Sequence, residues 1–152
     1  MPIKAAMWVH GNDVQAEYVG PWLNIARRAW GTHFKTAGSK NWFHIPFTTP
    51  VILENIRPKL AKIIIFYKTV GDAKIEAVHI YDSEDDVKKF DNLTLQGNHS
   101  GVVDSQNSWM LNPPLTINFG LGLSVKVSFG KTNNNIVPEI VFYSAGADFV
   151  TP

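Results

Sequence analysis

From Leu115 to Phe129 the chain places an apolar residue at every odd position: Leu115, Ile117, Phe119, Leu121, Leu123, Val125, Val127 and Phe129. The even positions between them, Thr116, Asn118, Gly120, Gly122, Ser124, Lys126 and Ser128, are small or polar. Successive side chains of a strand point to opposite faces, so this is a β-ribbon with one face in a core and one toward solvent. A face this apolar needs a second layer to cover it. Fully extended, the segment would run about 50 Å, further than a compact chain of this size is wide. A bulge or sharp bend at Gly120 or Gly122 is therefore expected, letting one segment serve two sheets or curl round a barrel.

The rest of the chain reads mostly as strands between turns. Ile3 to His10 is the first, ended by Gly11-Asn12-Asp13, with Val14 to Val19 as a candidate hairpin partner stopped by Gly20-Pro21. Leu23 to Phe34 reads as either one irregular strand or a single helical turn. Trp42 to Phe47 is aromatic and extended, and Pro46 and Pro50 confine it to an edge or a bulge, because proline lacks a ladder donor. Leu60 to Val70 contains Ile63-Ile64-Ile65-Phe66-Tyr67, apolar on both faces, which predicts a central strand covered on each side. Lys74 to Asp82 follows the Gly71-Asp72 turn. Ser83 to Asp91 carries acids early and Lys88-Lys89 late, which predicts one helical turn capped by Ser83. Leu93 to Leu95, Ser108 to Leu111 and Ile136 to Ser144 complete the strands, with Asn112-Pro113-Pro114 and Thr132 to Asn135 as loops. Eight or nine strands with almost no helix point to an all-β antiparallel sandwich of jelly-roll type, with a closed β-barrel as its rival.

A chain of 152 residues, 45% apolar and 18% charged, buries a core without staples and reads as a single domain over residues 1–152. Its 14 basic and 13 acidic residues are scattered, with no run longer than Arg27-Arg28 or Lys88-Lys89, so neither nucleic acid nor a membrane surface is an expected partner. The absence of cysteine removes disulfides, thiolate nucleophiles and Cys-based metal centres together. No leader pattern and no apolar run of roughly 20 residues is found. A cytoplasmic location follows, with the acceptor patterns at Asn92 and Asn98 read as accidental.

Five tryptophans (Trp8, Trp22, Trp30, Trp42, Trp109) make the chain rich in indoles, and two stand beside amides: Asn41-Trp42 and Gln106-Asn107-Ser108-Trp109. A sugar site needs a flat ring for the C–H side of a pyranose and planar polar groups for its hydroxyls. Adjacent strand residues face opposite ways, however, so Asn41 and Trp42 cannot share a ligand unless the strand breaks. The competing use of each indole is core packing with its N–H on a nearby carbonyl.

The histidines supply a second constellation. Val9-His10-Gly11-Asn12-Asp13 and Val78-His79-Ile80-Tyr81-Asp82 share V-H-x-x-D, and if the two strands met, imidazoles and carboxylates would converge as an acid–base or metal site. Chance repetition of so short a pattern is the plainer explanation. His44 lies between Phe43 and Ile45, His99 between Asn98 and Ser100, neither with a partner visible in sequence. Asp82, Glu84, Asp85 and Asp86 offer carboxylate oxygens, but the EF-hand spacing fails and a solvated acidic loop is expected in place of a cation site. Phosphate-loop, nucleophile-elbow, dinucleotide and zinc-protease signatures are all missing, so no cofactor and no metal is expected. Gly120-Leu121-Gly122 sits within a strand pattern, and Ser144-Ala145-Gly146-Ala147-Asp148 reads as a tight packing corner.

The segments Trp30-Gly31-Thr32, Asn41-Trp42-Phe43-His44-Ile45-Pro46, Asn107-Ser108-Trp109 with Asn112-Pro113-Pro114, and Ser144-Ala145-Gly146-Ala147-Asp148-Phe149 resemble a family of short single-domain β-rich proteins with no assigned function. The resemblance runs nearly end to end and implies a stand-alone domain.

Three functional classes remain open. The first is a non-enzymatic, lectin-like binding module for a glycan or another small polar ligand, with Trp42, His44, Asn107 and Trp109 as ligand-binding residues. The second is a small enzyme with His10, His79 and Asp82 as acid–base or metal-ligand candidates. The third is a homo-oligomer in which a partner subunit covers one face of Ile63-Ile64-Ile65-Phe66.

Overall fold

The computed structural model describes residues 2–152, and these form two antiparallel β-sheets packed face to face. In chain order the strands are β1 (Ile3–His10), β2 (Gln15–Ala16), β3 (Asn24–Arg28), β4 (Gly31–Lys35), β5 (Lys40–Pro46), β6 (Lys59–Val70), β7 (Lys74–Asp82), β8 (Asp85–Phe90), β9 (Asn98–His99), β10 (Ser108–Thr116), β11 (Leu121–Ser128) and β12 (Glu139–Val150). The larger sheet runs β10-β6-β12-β4-β3, with β1 on the free half of β12 and β9 on β6. The smaller runs β2-β5-β11-β7-β8. No ladder joins the sheets among the described residues, so the architecture is a sandwich and not the closed barrel.

The alternating segment divides where its glycines foretold. Leu115 and Thr116 pair with β6 in the larger sheet, whereas Leu121 to Ser128 lie between β5 and β7 in the smaller. Between them the chain turns the corner, and the turn exposes Phe119 (78% exposed), the one apolar odd position left in solvent. Bending takes backbone groups out of the ladders, and they must be paired elsewhere. The Asp82 carboxylate accepts from the N–H groups of Asn118, Phe119 and Gly120 at 2.8, 2.9 and 3.2 Å. From the other side the Arg57 guanidinium donates to the carbonyls of Ile117 and Asn118.

The core lies between the sheets. Ile63, Ile65, Tyr67, Phe34, Phe142 and Phe149 from the larger sheet meet Phe43, Ile45, Val78, Ile80, Val125 and Val127 from the smaller. Phe43 is its hub, with ring centroids 4.5 Å from Phe34, 5.5 Å from Phe142 and 6.1 Å from Phe129. On β6 Ile63, Ile65 and Tyr67 point inward, and the cover expected on the second face comes from within the chain. Trp8 on β1 lies across Gly146 of β12, with its ring 5.4 Å from that of Phe66. Ile64, across the same glycine, is 3% exposed. A partner subunit is not needed to shield this face.

Several local expectations are corrected. The last strand runs Glu139–Val150, so Ser144–Asp148 is its middle and not a corner, and Leu93–Leu95 gives only an isolated bridge from Leu95 to Ile75. Ser83–Asp91 is no helical turn: a two-residue reversal at Ser83 (φ 56°) starts the β7–β8 hairpin, in which Tyr81 faces Asp86 and Asp82 faces Asp85. Leu23–Phe34 is the β3–β4 hairpin, turned at Ala29-Trp30. Val14–Val19 yields only β2, which pairs with β5 rather than returning on β1. Asn112-Pro113-Pro114 interrupts β10 as a register shift instead of forming a separate loop, and its Asn112–Pro113 bond is cis. Among the described residues no helix is long and apolar enough to cross a membrane.

Candidate functional site

The outer face of the smaller sheet collects side chains of one parity from β5 and β11, and from β7 side chains whose parity changes at the irregularity around Glu76. Lys40, Trp42 and His44 come from β5; Gly122, Ser124 and Lys126 from β11; Glu76, His79 and Tyr81 from β7. The ladder fixes their neighbours: Ser124 lies between His44 and His79, Gly122 between Pro46 and Tyr81, and Lys126 beside Trp42. Because β11 contributes only Gly122 and Ser124 at its centre, the bulkier rows on either side become walls. An added Cβ at Gly122 would meet open space.

The result is a trough of three adjoining depressions along β11. One of about 550 Å³ lies over Gly122, between His44 and Tyr81. A central one of about 300 Å³ is walled by Trp42, His44, His79 and Tyr81. A third of about 770 Å³ continues past Trp42 toward Lys126 and Asp91. Trp42 is shared by the last two, half-buried, with its centroid 4.9 Å from the His79 ring and the Lys126 ammonium 6.0 Å from its own centre.

The polar groups are held before any ligand arrives. His44 has Ser124 Oγ at 2.8 Å on Nδ1 and a Glu17 carboxylate oxygen at 2.9 Å on Nε2. His79 has Asp91 at 2.8 Å on Nε2 and Asp86 at 3.5 Å on Nδ1. Glu76 takes Lys40 at 3.1 Å and lies 3.9 Å from Lys126. Charges on this face are thus largely matched in pairs, which leaves a surface of fixed donors and acceptors round an indole.

The remaining sequence candidates are placed elsewhere. Asn107 is fully buried, and its amide organises the loop before β10: Oδ1 accepts from the Asp104 N–H at 2.7 Å, and Nδ2 donates to Val102 and His99 carbonyls. Trp109 turns inward and closes the gap between the sheets against Phe90 of β8, 6.3 Å between centroids. His10 is on the outer face of the larger sheet and caps the 3-10 turn Gly11–Asp13, accepting from Asn12 N–H. His79 faces out from the smaller sheet, so the two V-H-x-x-D copies do not meet. Asp82 is committed to the bend. Its burial works against ionisation, but the N–H bonds from Asn118, Phe119 and Gly120 outweigh that and hold its carboxyl below the usual range. Asp85 is the ladder partner of Asp82 across the β7–β8 turn, Asp86 lies 3.5 Å from His79, and among the described residues no three His, Asp or Glu side chains converge as metal ligands.

Comparison with known proteins places the chain. A family model, described as a family of unknown function, DUF6623, matches residues 1–140. The chain belongs to DUF6623. No curated protein matches it. Among solved structures, this DUF6623 protein is similar in fold to a xylan-binding module, CBM15, with TM-score 0.52 and 14% identity over 97% of both chains. The likeness is one of fold, two layered antiparallel sheets.

In this DUF6623 chain Trp42 and His44 share the trough, while Asn107 and Trp109 do not reach it. Of the residues that sequence reasoning overlooked there, Ser124 and Lys126 carried a signal all the same, since they belong to the polar parity of the strand whose apolar parity was read as core. Glu76 and Tyr81 lie on β7, whose faces the sequence left unassigned and whose parity changes at an irregularity.

Proposed function

We propose that this chain is a single-domain, non-enzymatic carbohydrate-binding module that holds a glycan along the outer face of its smaller sheet. The observation that carries the reading is the position of Trp42. A half-buried indole stands at the junction of two depressions in a continuous trough, amid polar groups already fixed by hydrogen bonds. The ring offers its face to the C–H side of a sugar, while His44, His79, Tyr81 and Ser124 meet the hydroxyls. From Gly122 to Lys126 the floor extends for about 13 Å, which suits a short stretch of polysaccharide better than one monosaccharide. Preorganised partners lower the ordering cost of binding. The xylan-binding neighbour in fold supports the choice of a glycan over other polar ligands. In this reading Asn107 and Trp109 serve from inside, shaping the loop and the sheet spacing.

The test is affinity electrophoresis of the intact chain against a panel of soluble polysaccharides, xylan and mixed β-glucans among them, followed by calorimetry on any that retard it. Retardation by at least one neutral polysaccharide is expected. Trp42→Ala should weaken that binding about tenfold or more, the magnitude of losing one aromatic stacking contact. His44→Ala should weaken it less. No retardation by any polysaccharide, or wild-type affinity in Trp42→Ala, would sink the reading.

A further inference from the structure

The larger sheet carries a second depression, on the opposite side of the molecule from the trough. It has a volume of about 460 Å³ and is formed by the β3–β4 hairpin and the start of β12. Its floor is Ala26, whose ladder partner His33 stands on the same face. Arg28, Trp30, Lys35 and Glu139 form the walls.

Trp30 occupies the hairpin turn and is 56% exposed. Exposed turn tryptophans ordinarily rotate freely, but this one is tethered. Its Nε1–H donates to His33 Nε2 at 2.8 Å, so that nitrogen carries no proton. The ring proton therefore resides on Nδ1, which points at Glu139 Oε1 at 3.4 Å. The imidazole meets the indole edge-on (centroids 5.9 Å apart, planes at 78°), so it does not cover the indole face. The hairpin is itself anchored, since a Cβ at Gly31 would overlap the Phe142 carbonyl. An exposed aromatic face is thus held in one orientation by a chain of bonds running back into β12.

Beside it are two cations without a partner. Among the described residues neither Arg28 nor Lys35 forms an ion pair, although Glu139 is the ladder neighbour of Lys35. A fixed ring face with an unpaired guanidinium and ammonium at its rim suits a ligand with both an apolar ring face and a carboxylate. Guanidinium matches carboxylate in bidentate geometry. We propose that this depression is a second binding site, taking an acidic sugar of the uronate class, independent of the trough on the other sheet.

The experiment is calorimetric titration of the intact chain with an oligogalacturonate, with the same oligomer methyl-esterified, and with a neutral xylo-oligosaccharide. The free acid should bind, and the ester, which keeps the rings but loses the charge, should bind about tenfold more weakly or worse. Trp30→Ala should lower affinity for the acid by about tenfold or more, as should Arg28→Gln with Lys35→Gln. Trp42→Ala should leave it unchanged. All these positions are exposed or half-buried, and thermal melts of the variants verify folding. Equal affinity for acid and ester overturns the proposal. So does loss of acid binding in Trp42→Ala with retention in Trp30→Ala, or no heat with the acid at all. The xylo-oligosaccharide arm reports on the trough separately, so either site is able to fail while the other stands.

Discussion

At the scale of single residues, Asp82 does much with little surface. It is 4% exposed, and its two oxygens serve three backbone N–H groups at the corner where the chain passes from one sheet to the other. Asn in its place would keep the shape but offer one acceptor oxygen and turn an N–H₂ toward donors. An unsatisfied buried N–H costs about 1–3 kcal/mol, so Asp82→Asn should lower stability by that amount in denaturant unfolding at neutral pH. The sign with pH follows from the depressed folded value. The contribution is complete above the carboxyl's unfolded pKa and disappears as pH falls through the folded one. The gap between wild type and variant should accordingly narrow in acid. A gap that stays constant down to low pH would show that the carboxylate charge is not what holds the corner.

Among elements, the segment from Gln96 to Asn107 has the clearest titration. His99 Nε2 faces the Gln96 carbonyl at 2.8 Å and Nδ1 faces Asp104 at 3.0 Å, an acceptor on each nitrogen. Only the imidazolium donates to both. Burial disfavours that charge, but the bonds to Asp104 and Gln96 prevail and raise the His99 pKa, while the His99 bond lowers that of Asp104. The pair therefore stabilises the segment fully between about pH 4 and 6.5, the ordinary values of its members. That stability is lost at higher pH as His99 deprotonates, and at lower pH as Asp104 protonates. Amide protection across 96–107, the exchange rate relative to that of the unfolded chain at the same pH, should be greatest inside the window in wild type and show no such maximum in Asp104→Asn, which keeps an acceptor for Gln106 N–H.

Elements also differ in how openly the sequence announced them. β1 was readable to the residue, and β6 nearly so, because long apolar runs leave one solution. That the long segment must bend was readable from its length, and its glycines narrowed the place to Gly120 or Gly122, of which Gly120 adjoins the bend and Gly122 lies within β11. Ser83–Asp91 misled because its acids and lysines imitate a capped helix, whereas register with β7 decides its state and register is a tertiary property. The β3–β4 hairpin was hidden by a turn, Ala29-Trp30, without the usual turn residues. In the candidate site, Trp42 and His44 were legible as neighbours of like parity on one strand. Asn107 was not, since an amide next to an indole looks the same whether it greets a ligand or knits a loop.

For the whole molecule, the decisive contact is between layers. Phe43 of the smaller sheet meets Phe34 and Phe142 of the larger, all three essentially inaccessible. Phe→Ala in a core costs about 3–5 kcal/mol, so Phe43→Ala should lower the melting temperature by roughly 10 °C. Since Trp42 and His44 flank it on the same strand, a loosened β5 should also weaken glycan binding at temperatures where the variant remains folded. Calorimetric melting and binding measured together check both.

The pairing of β1 with β12 sets Ile3 across from Val150. The first strand and the last are thus adjacent rungs of one ladder, and the path of the backbone is almost a closed loop. Cutting such a loop at a surface reversal such as Asn134-Asn135, and joining Ile3 to Val150 through a short tether, leaves every strand beside its present neighbours. The order of strands in the chain is then a matter of where the loop is opened, and the sandwich is a property of the circle.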